Sequence, residues 1–589
     1  MKTKDYYLKE LNSLRSDGAE FAKNNPGLSS FLAQEGQDPD VERILEGFAF
    51  LTGRLHQKFD EELPEVSHGL VQLLWPNYIR PIPAYSIIQF DPLKDDVKSK
   101  NIPKDTQVLS EKSSEDVVCK FRTSYAVDVM ALDLVDVEYL TSGQKSSIEL
   151  EFGMSTAGTL ADVTFETLRL FLSGSKFMSR ELYLYLNKYV EKIDLVVKDK
   201  NDKELESIAL PLKSISGVGF SSSESMVPYP RNIFDGYMVL QEYFCFQEKY
   251  LFLDVLNTRL IEKFSVETLS QSNKFSLKIS FNKRFKSTQV PTKEDFCLYC
   301  TPVINLFESD SIPIRKTEFE DEYLLTSSEL KRNQSEVFSI FKVRGWVQSK
   351  NEYQDYAPFE SFASVDNNKE YYSERVKLNN DLNCTDTYLR FSSSRGMFEN
   401  LDHNNAVVSV KMLCTNKNIP STLPLNGICI PDPSSYSLGF KNITIPSISY
   451  PPPIGGDFLW KVISNMSLNY LALDNVKTLV MILKTYDFFG ESDFKQKKKT
   501  EVILSGLVSI SNQHSEMIYE GLPIRGTQTE IDLDPSKFMC TGEAYLFCCV
   551  LNEFLALYSG VNSFHRLVVN MLGSETFTWA PKIGSKEII

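Results

Sequence analysis

Residues 59–90, FDEELPEVSHGLVQLLWPNYIRPIPAYSIIQF, pass within a few positions from an acidic lead-in through a helical pattern to a strand. No other stretch restricts the fold as much. Pro64 suits the first turn of a helix, where an amide donor is not needed, and Val66, Leu70, Leu73 and Leu74 then share one face. Pro76 ends that helix. Pro81 and Pro83 hold residues 79–84 extended, because each proline also pushes its predecessor out of the helical region. Ile87, Ile88 and Phe90 read as a buried strand. Ring geometry, not a flexible linker, therefore sets the direction in which a helical N-terminus hands over to the remainder.

That remainder reads as mainly β. The 39 Phe and 27 Tyr favour pleated sheet and large contact surfaces. A chain of 589 residues outgrows one core. The expected class is α+β, mainly β: a helical N-terminal segment followed by several β-rich domains. Boundaries are expected at 1–84 (helical segment and joint), 85–300 (β-rich), 301–454 (β-rich with polar loops) and 455–589 (α+β).

Two amphipathic helices are expected ahead of the joint. One runs over about residues 5–24 with Tyr7, Leu11, Leu14 and Phe21 on its apolar stripe. The other is capped by Asp38 with Pro39 behind it and carries Val41, Ile44, Phe48, Leu51, Leu55 and Phe59 at steps of three and four. That second stripe must be covered, either within the chain or by a partner. Further along, 180–191 reads as a short helix, 214–231 as an interaction or hinge loop, 237–255 as renewed sheet, 347–380 as exposed loop and 431–453 as a proline-rich connector. In the last domain, the lysines at 495 and 497–499 read as a loop that is either solvated or docked on an acidic neighbour. Residues 543–557 are too apolar for an exposed strand, and 561–572 read as amphipathic with His565 and Arg566 at the polar edge.

Chemistry is hard to find. There are five histidines, none spaced as HxxxH, and no GxSxG, Walker or Rossmann signature. Asp60, Glu61, Glu62 and Glu65 suit a helix start better than paired catalytic carboxylates. Cys297 and Cys300 form a CxxC without the second pair a zinc site wants. No catalytic, cofactor-binding or metal residue is assigned. A net charge of −15 argues against nucleic acid as partner. The start shows no secretory signal and no apolar run of about 18 residues is present, so a cytoplasmic protein without membrane insertion is expected. The aromatic content also suits a carbohydrate-binding or carbohydrate-active β protein, the alternative reading.

The joint, FDEELPE followed by LLWPNYIRPIPAYSIIQF, resembles the signature of the TssF (VasA/ImpG) family of type VI secretion baseplate subunits. Similar blocks run collinearly: YYLKELNSLRSDGAEFAKNNPGL and DPDVERILEGFAFLTGRL before it, then CKFRTSY (119–125), LRLFLSG (168–174), VPYPRNIFDGYMVLQEYFCFQEKYLFLDV (227–255), CTPVINLF (300–307), KMLCTNKNIP (411–420), ISNMSLNYLAL (463–473) and FLALYSGVNSFHRL (554–567). Gln247 departs from the family's more usual proline. The resemblance implies a wedge subunit like those of contractile phage baseplates, with two TssF copies joined to one TssG, contacted by TssK and TssE around a VgrG spike, and docked through the baseplate at the inner-membrane complex. It implies no cofactor. The residues expected to meet partners are Val41, Ile44, Phe48, Leu51 and Leu55 on the helix stripe, and Trp75, Tyr78, Arg80, Pro81 and Pro83 at the joint.

Overall fold

The strand Tyr85–Phe90 that follows the prolines is buried along almost its whole length. It pairs antiparallel with Cys300–Ile304 on one side and Phe440–Asn442 on the other. Two partners that lie more than two hundred residues downstream thus close on the first strand out of the joint. In this computed structural model the described residues are 7–8, 10–15, 43–54, 69 and 71–72, followed by 75–584 without 95–98, 156–157, 164–166, 200–201, 230–234, 257–259, 286–288, 318–319, 348–350, 360–369, 380–383, 394–405, 432–437, 453, 455–474, 488–492, 520, 557–558 and 561–562.

The chain forms two units: Met1–Ile79 with Ile454–Met466, and Arg80–Pro453 with Ser467–Ile589. In the first, residues 10–15 and 43–54 are helical, and the backbone tightens after Trp75 into a 3-10 turn, Pro76–Ile79. The expected helix at 66–74 is described only at 69, 71 and 72, all helical, and Trp75 N–H still donates to Val71 C=O at 2.6 Å.

The second unit is built on sheets. Its six-stranded sheet runs Ile428–Pro431, Gln107–Lys112, Val118–Thr123, Cys300–Ile304, Tyr85–Phe90, Phe440–Asn442. The proline-rich stretch after residue 440 is no free connector: Ser447 Oγ accepts from Tyr85 N–H at 2.9 Å and Thr444 Oγ1 from Ile87 N–H at 2.8 Å. Ile82 bridges Tyr450, so both proline-rich segments are pinned together.

A five-stranded antiparallel sheet follows, in the order Glu204–Leu210, Val190–Asp199, Ser272–Phe281, Lys145–Met154, Leu132–Ser142. Alternation puts Ile148, Leu150 and Phe152 inward, and the Phe152 and Phe275 rings stack at 5.0 Å. On the same sheet Lys198 bridges Glu149 and Glu151, each at 2.8 Å. Within 347–380, expected as exposed loop, the described stretches Glu352–Pro358 and Glu370–Asn379 are instead strands of an eight-stranded sheet, paired parallel to each other. Val343, Tyr356, Tyr372, Leu389, Val408, Val410 and Met412 fill its core.

Helices tie distant sequence together. Residues 237–245 are helix rather than sheet, within Asp235–Cys245. The segment Thr541–Ala556 is a helix buried on nearly every side, the crossover between the parallel strands Leu522–Leu533 and Ser563–Met571. It packs against Lys176–Lys188 and Asp235–Cys245. Gly542 makes that approach possible: a Cβ there would stand 2.1 Å from Arg180 C=O, and its N–H donates to Glu181 Oε1 at 2.9 Å. The segment expected to be amphipathic holds the strand Ser563–Met571, whose burial alternates over its second half, but His565 is buried, not at a polar edge.

Candidate assembly surfaces

On the helix at 43–54 the small residues Ala49 and Gly53, four apart, face inward and are buried. Ile44, Phe48 and Leu51 lie on the opposite face and are 71%, 57% and 63% exposed, with Phe50 beside them at 47%. Spacings of four and three bring the first three onto one stripe. The helix therefore packs by its small side and presents its large apolar side outward. Water contact with a contiguous apolar face marks an interaction surface. Val41 and Leu55, which extend the stripe, lie outside the described residues, as do His56, His68 and the acidic cluster at 60–65.

The joint residues sit differently. Trp75 and Tyr78 are each 1% exposed with rings 5.0 Å apart. Pro81 and Pro83 are buried and Arg80 is half-buried. The Arg80 guanidinium lies 5.3 Å over the Phe338 ring. Burial pulls its pKa below the ordinary arginine value, and the nearby Glu374 carboxylate opposes that shift. The guanidinium thus finds an aromatic face and an acid on the eight-stranded sheet. Sequence patterning gathered stripe and joint into one set; the structure exposes the stripe and buries most of the joint.

The segment 212–229 is a fixed wall, not a hinge. Lys104 Nζ donates to Ser223 C=O and Ser225 C=O at 2.8 and 2.9 Å, and Gly219 N–H donates to Glu224 Oε2 at 2.7 Å. Beneath it, Glu242 Oε1 accepts from Met226 N–H at 2.8 Å and Val227 N–H at 3.2 Å, while Oε2 meets Lys249 Nζ. Both ionic side chains are fully buried. Beside this wall a cavity of about 310 Å³ is lined by Tyr125, Arg169, Glu224 and Leu298 among others. Its main cation is already neutralised: Arg169 forks onto Asp254 at 2.7 and 3.1 Å and reaches Glu224 at 3.4 Å.

The CxxC is a corner. Tyr299 takes a left-handed φ of 58° between Phe296–Leu298 and Cys300–Ile304, which belong to different sheets, and its hydroxyl donates to Leu132 C=O at 2.7 Å. The hydrogen bond from Cys300 lowers the Cys297 pKa, whereas burial raises that of Cys300. Among the described residues no group of three His, Cys, Asp or Glu side chains could hold a metal. No described helix is long and apolar enough to cross a membrane.

One surface escaped sequence reading, and a second was found there but assigned to the wrong element. The hairpin Leu507–Tyr519 and Leu522–Leu533 carries Ile518, Tyr519 and Leu522 at its tip, 79%, 44% and 69% exposed. The lysines at 495 and 497–499, expected in a loop, lie on the helix Phe494–Leu504. Gln247, in the family's more usual proline position, opens a 3-10 turn and accepts from Arg180 Nη2 at 2.7 Å.

Sheets locked by buried polar networks, together with outward-facing apolar surfaces, define a rigid β-rich subunit suited to assembly. The family model "Type VI secretion system, TssF" matches residues 1–586, and the chain belongs to that family. The curated relative "Type VI secretion system component TssF1" of Pseudomonas aeruginosa is 24% identical over 99% of this chain and 98% of its own length. A chain from a cryo-electron microscopy structure of the type VI secretion system TssK-TssF-TssG baseplate subcomplex matches with a TM-score of 0.74 and 26% identity, over 92% of this chain and 99% of that one. A chain of "The baseplate complex from the type VI secretion system" shares the fold over 100% of both chains, with a TM-score of 0.63 and 22% identity.

Proposed function

We propose that the chain is a structural wedge subunit of a type VI secretion baseplate that assembles with TssG and TssK. The observation that carries this reading is the full-length likeness to a chain of the TssK-TssF-TssG subcomplex at a TM-score of 0.74. The outward stripe Ile44, Phe48 and Leu51 supports a helical interface shared with partner subunits. Two copies join one TssG, with TssE and the VgrG spike as further neighbours, and the assembled baseplate docks at the inner-membrane complex. The subunit works by shape: it holds neighbours in register and passes a rearrangement to the sheath, whose contraction supplies the energy. Trp75, Tyr78, Tyr85, Tyr183, Tyr243 and Tyr250 are fully buried and so cannot serve as a glycan platform.

Co-expression with TssG and TssK tests the proposal. The expected product is a stable complex with two copies of this chain per TssG, resolved by native mass spectrometry. A chain that elutes alone in the presence of both subunits contradicts it.

A further inference from the structure

The lysine-bearing helix Phe494–Leu504 is one wall of an open cleft with a volume of about 600 Å³. Lys495, Lys498, Lys499 and Val502 stand at helical spacings of three and four and line it from one face. Lys176 and Arg180, also four apart, line it from the helix Lys176–Lys188, and Lys537 and Met539 from the approach to Thr541–Ala556. Six cations thus face one carboxylate, Glu543, in a chain whose net charge is −15.

That carboxylate is already engaged. Glu543 Oε1 lies 3.8 Å from the buried Arg180 Nε and 3.9 Å from Lys499 Nζ, while Oε2 accepts from Met539 N–H at 2.9 Å. Among the described residues Lys176, Lys495, Lys498 and Lys537 have no carboxylate within ion-pair reach. The cations also stand against the local field. Neither wall helix has an acidic residue in its first turn, where the macrodipole favours one, and each carries lysine there instead. The start of the helix Phe494–Leu504 is satisfied by its cap, Asp493, whose Oδ1 accepts from Lys495 N–H at 2.8 Å, so the lysine side chains are left to face the cleft.

The floor is aliphatic. Val502 and Met539 are 44% and 50% exposed, with Ile503 beneath them. We propose that this cleft docks an acidic, amphipathic segment of a partner polypeptide, whose apolar side chains seat on Val502, Ile503 and Met539 while its carboxylates meet Lys176, Lys495, Lys498 and Lys537. A concave floor favours an inserted segment over a flat bilayer. The described lining holds no aromatic face on which the bases of a single strand would stack.

The test uses the purified full-length chain and a fluorescein-labelled peptide of repeating Leu-Glu-Glu units, read by fluorescence anisotropy. The triple substitution Lys495→Glu, Lys498→Glu and Lys537→Glu should weaken binding at least about tenfold, because it replaces attraction with repulsion at three contacts. Lys495→Glu puts an acid in the first turn of the helix Phe494–Leu504, where the macrodipole favours it, and Lys498 has no carboxylate partner among the described residues to lose, so the fold should hold. Val502→Ser should weaken binding without any change in charge, and added salt should weaken it further. Failure of the wild-type chain to bind the peptide, or binding indifferent to the triple substitution, overturns the proposal. So does stronger retention on phosphatidylglycerol vesicles, or on a single-stranded oligonucleotide, than on the peptide. None of these readouts depends on TssG or TssK, so the cleft and the wedge reading can fail separately.

Discussion

Lys249→Met is the sharpest probe of the rigid frame. Lys249 and Glu242 are both 0% exposed, and the carboxylate also holds Met226 N–H and Val227 N–H. Removing the ammonium strands a buried negative charge, which costs about 3–5 kcal/mol. Adding Glu242→Gln removes that charge and leaves an amide oxygen able to accept from the same two N–H groups. The double variant should therefore cost only about 1–2 kcal/mol, the scale of one imperfect buried hydrogen bond. A multidomain chain does not unfold in one step, so the measurement must be local. Hydrogen exchange of the 216–229 amides, followed by mass spectrometry, reads it directly. A loss of 3 kcal/mol or more corresponds to exchange roughly a hundredfold faster in Lys249→Met, with most of the protection restored in the double variant. Equal exchange in the single and double variants would refute the reasoning, because the penalty would then not come from an unpaired charge.

Three further predictions concern other buried groups. His565 is buried with Nε2 at 3.0 Å from Thr529 Oγ1, and burial pushes its pKa down from 6.5 to about 4. The unfolded chain gains that proton first, so the C-terminal sheet should lose up to about 3 kcal/mol as pH falls from 6.5 to 4, and His565→Gln should flatten the loss in hydrogen-exchange protection of the Ser563–Met571 amides. Burial pushes Glu336 up from 4.5 to about 7, against the Thr385 hydrogen bonds. The folded state keeps a proton the unfolded chain gives up, so stability of the eight-stranded sheet is greatest below pH 4.5 and falls by up to about 3 kcal/mol as pH rises to 7; Glu336→Gln should remove this slope. Gly542→Ala forces a methyl into Arg180 C=O and should cost roughly 1–3 kcal/mol by overpacking, seen as faster exchange in both Thr541–Ala556 and Lys176–Lys188.

Much of this was legible where a local rule acts alone. Proline chemistry marks the joint because ring constraints need no tertiary context, and Pro76–Ile79, Ile82 and Tyr85–Phe90 follow the expected order of turn, extended chain and strand. Asp235–Cys245 was misread as sheet because a helix buried on all sides loses its polar face, and with it the 3.6-residue period. Ser563–Met571 does alternate, with His565, Leu567, Val569 and Met571 buried on one face and Phe564 buried out of phase, but a histidine on the inward face reads in sequence as a polar edge. The cationic cleft was hidden for another reason. Its walls come from residues 176–180, 495–502 and 537–543, and only the lysines near 495 announce themselves in sequence. The stripe at 44, 48 and 51 was readable, but which side of the helix faces inward depends on whether Ala49 and Gly53 find a close-packed neighbour.

The most direct measurement replaces Phe48 and Leu51 with Asp and asks whether the full chain still co-purifies with TssG and TssK. Two exposed apolar side chains, each worth about 1.5–3 kcal/mol when buried by a partner, become charges at that interface. The expected outcome is loss of the complex with circular dichroism and hydrogen exchange of the second unit unchanged. A wild-type yield of intact complex would contradict it.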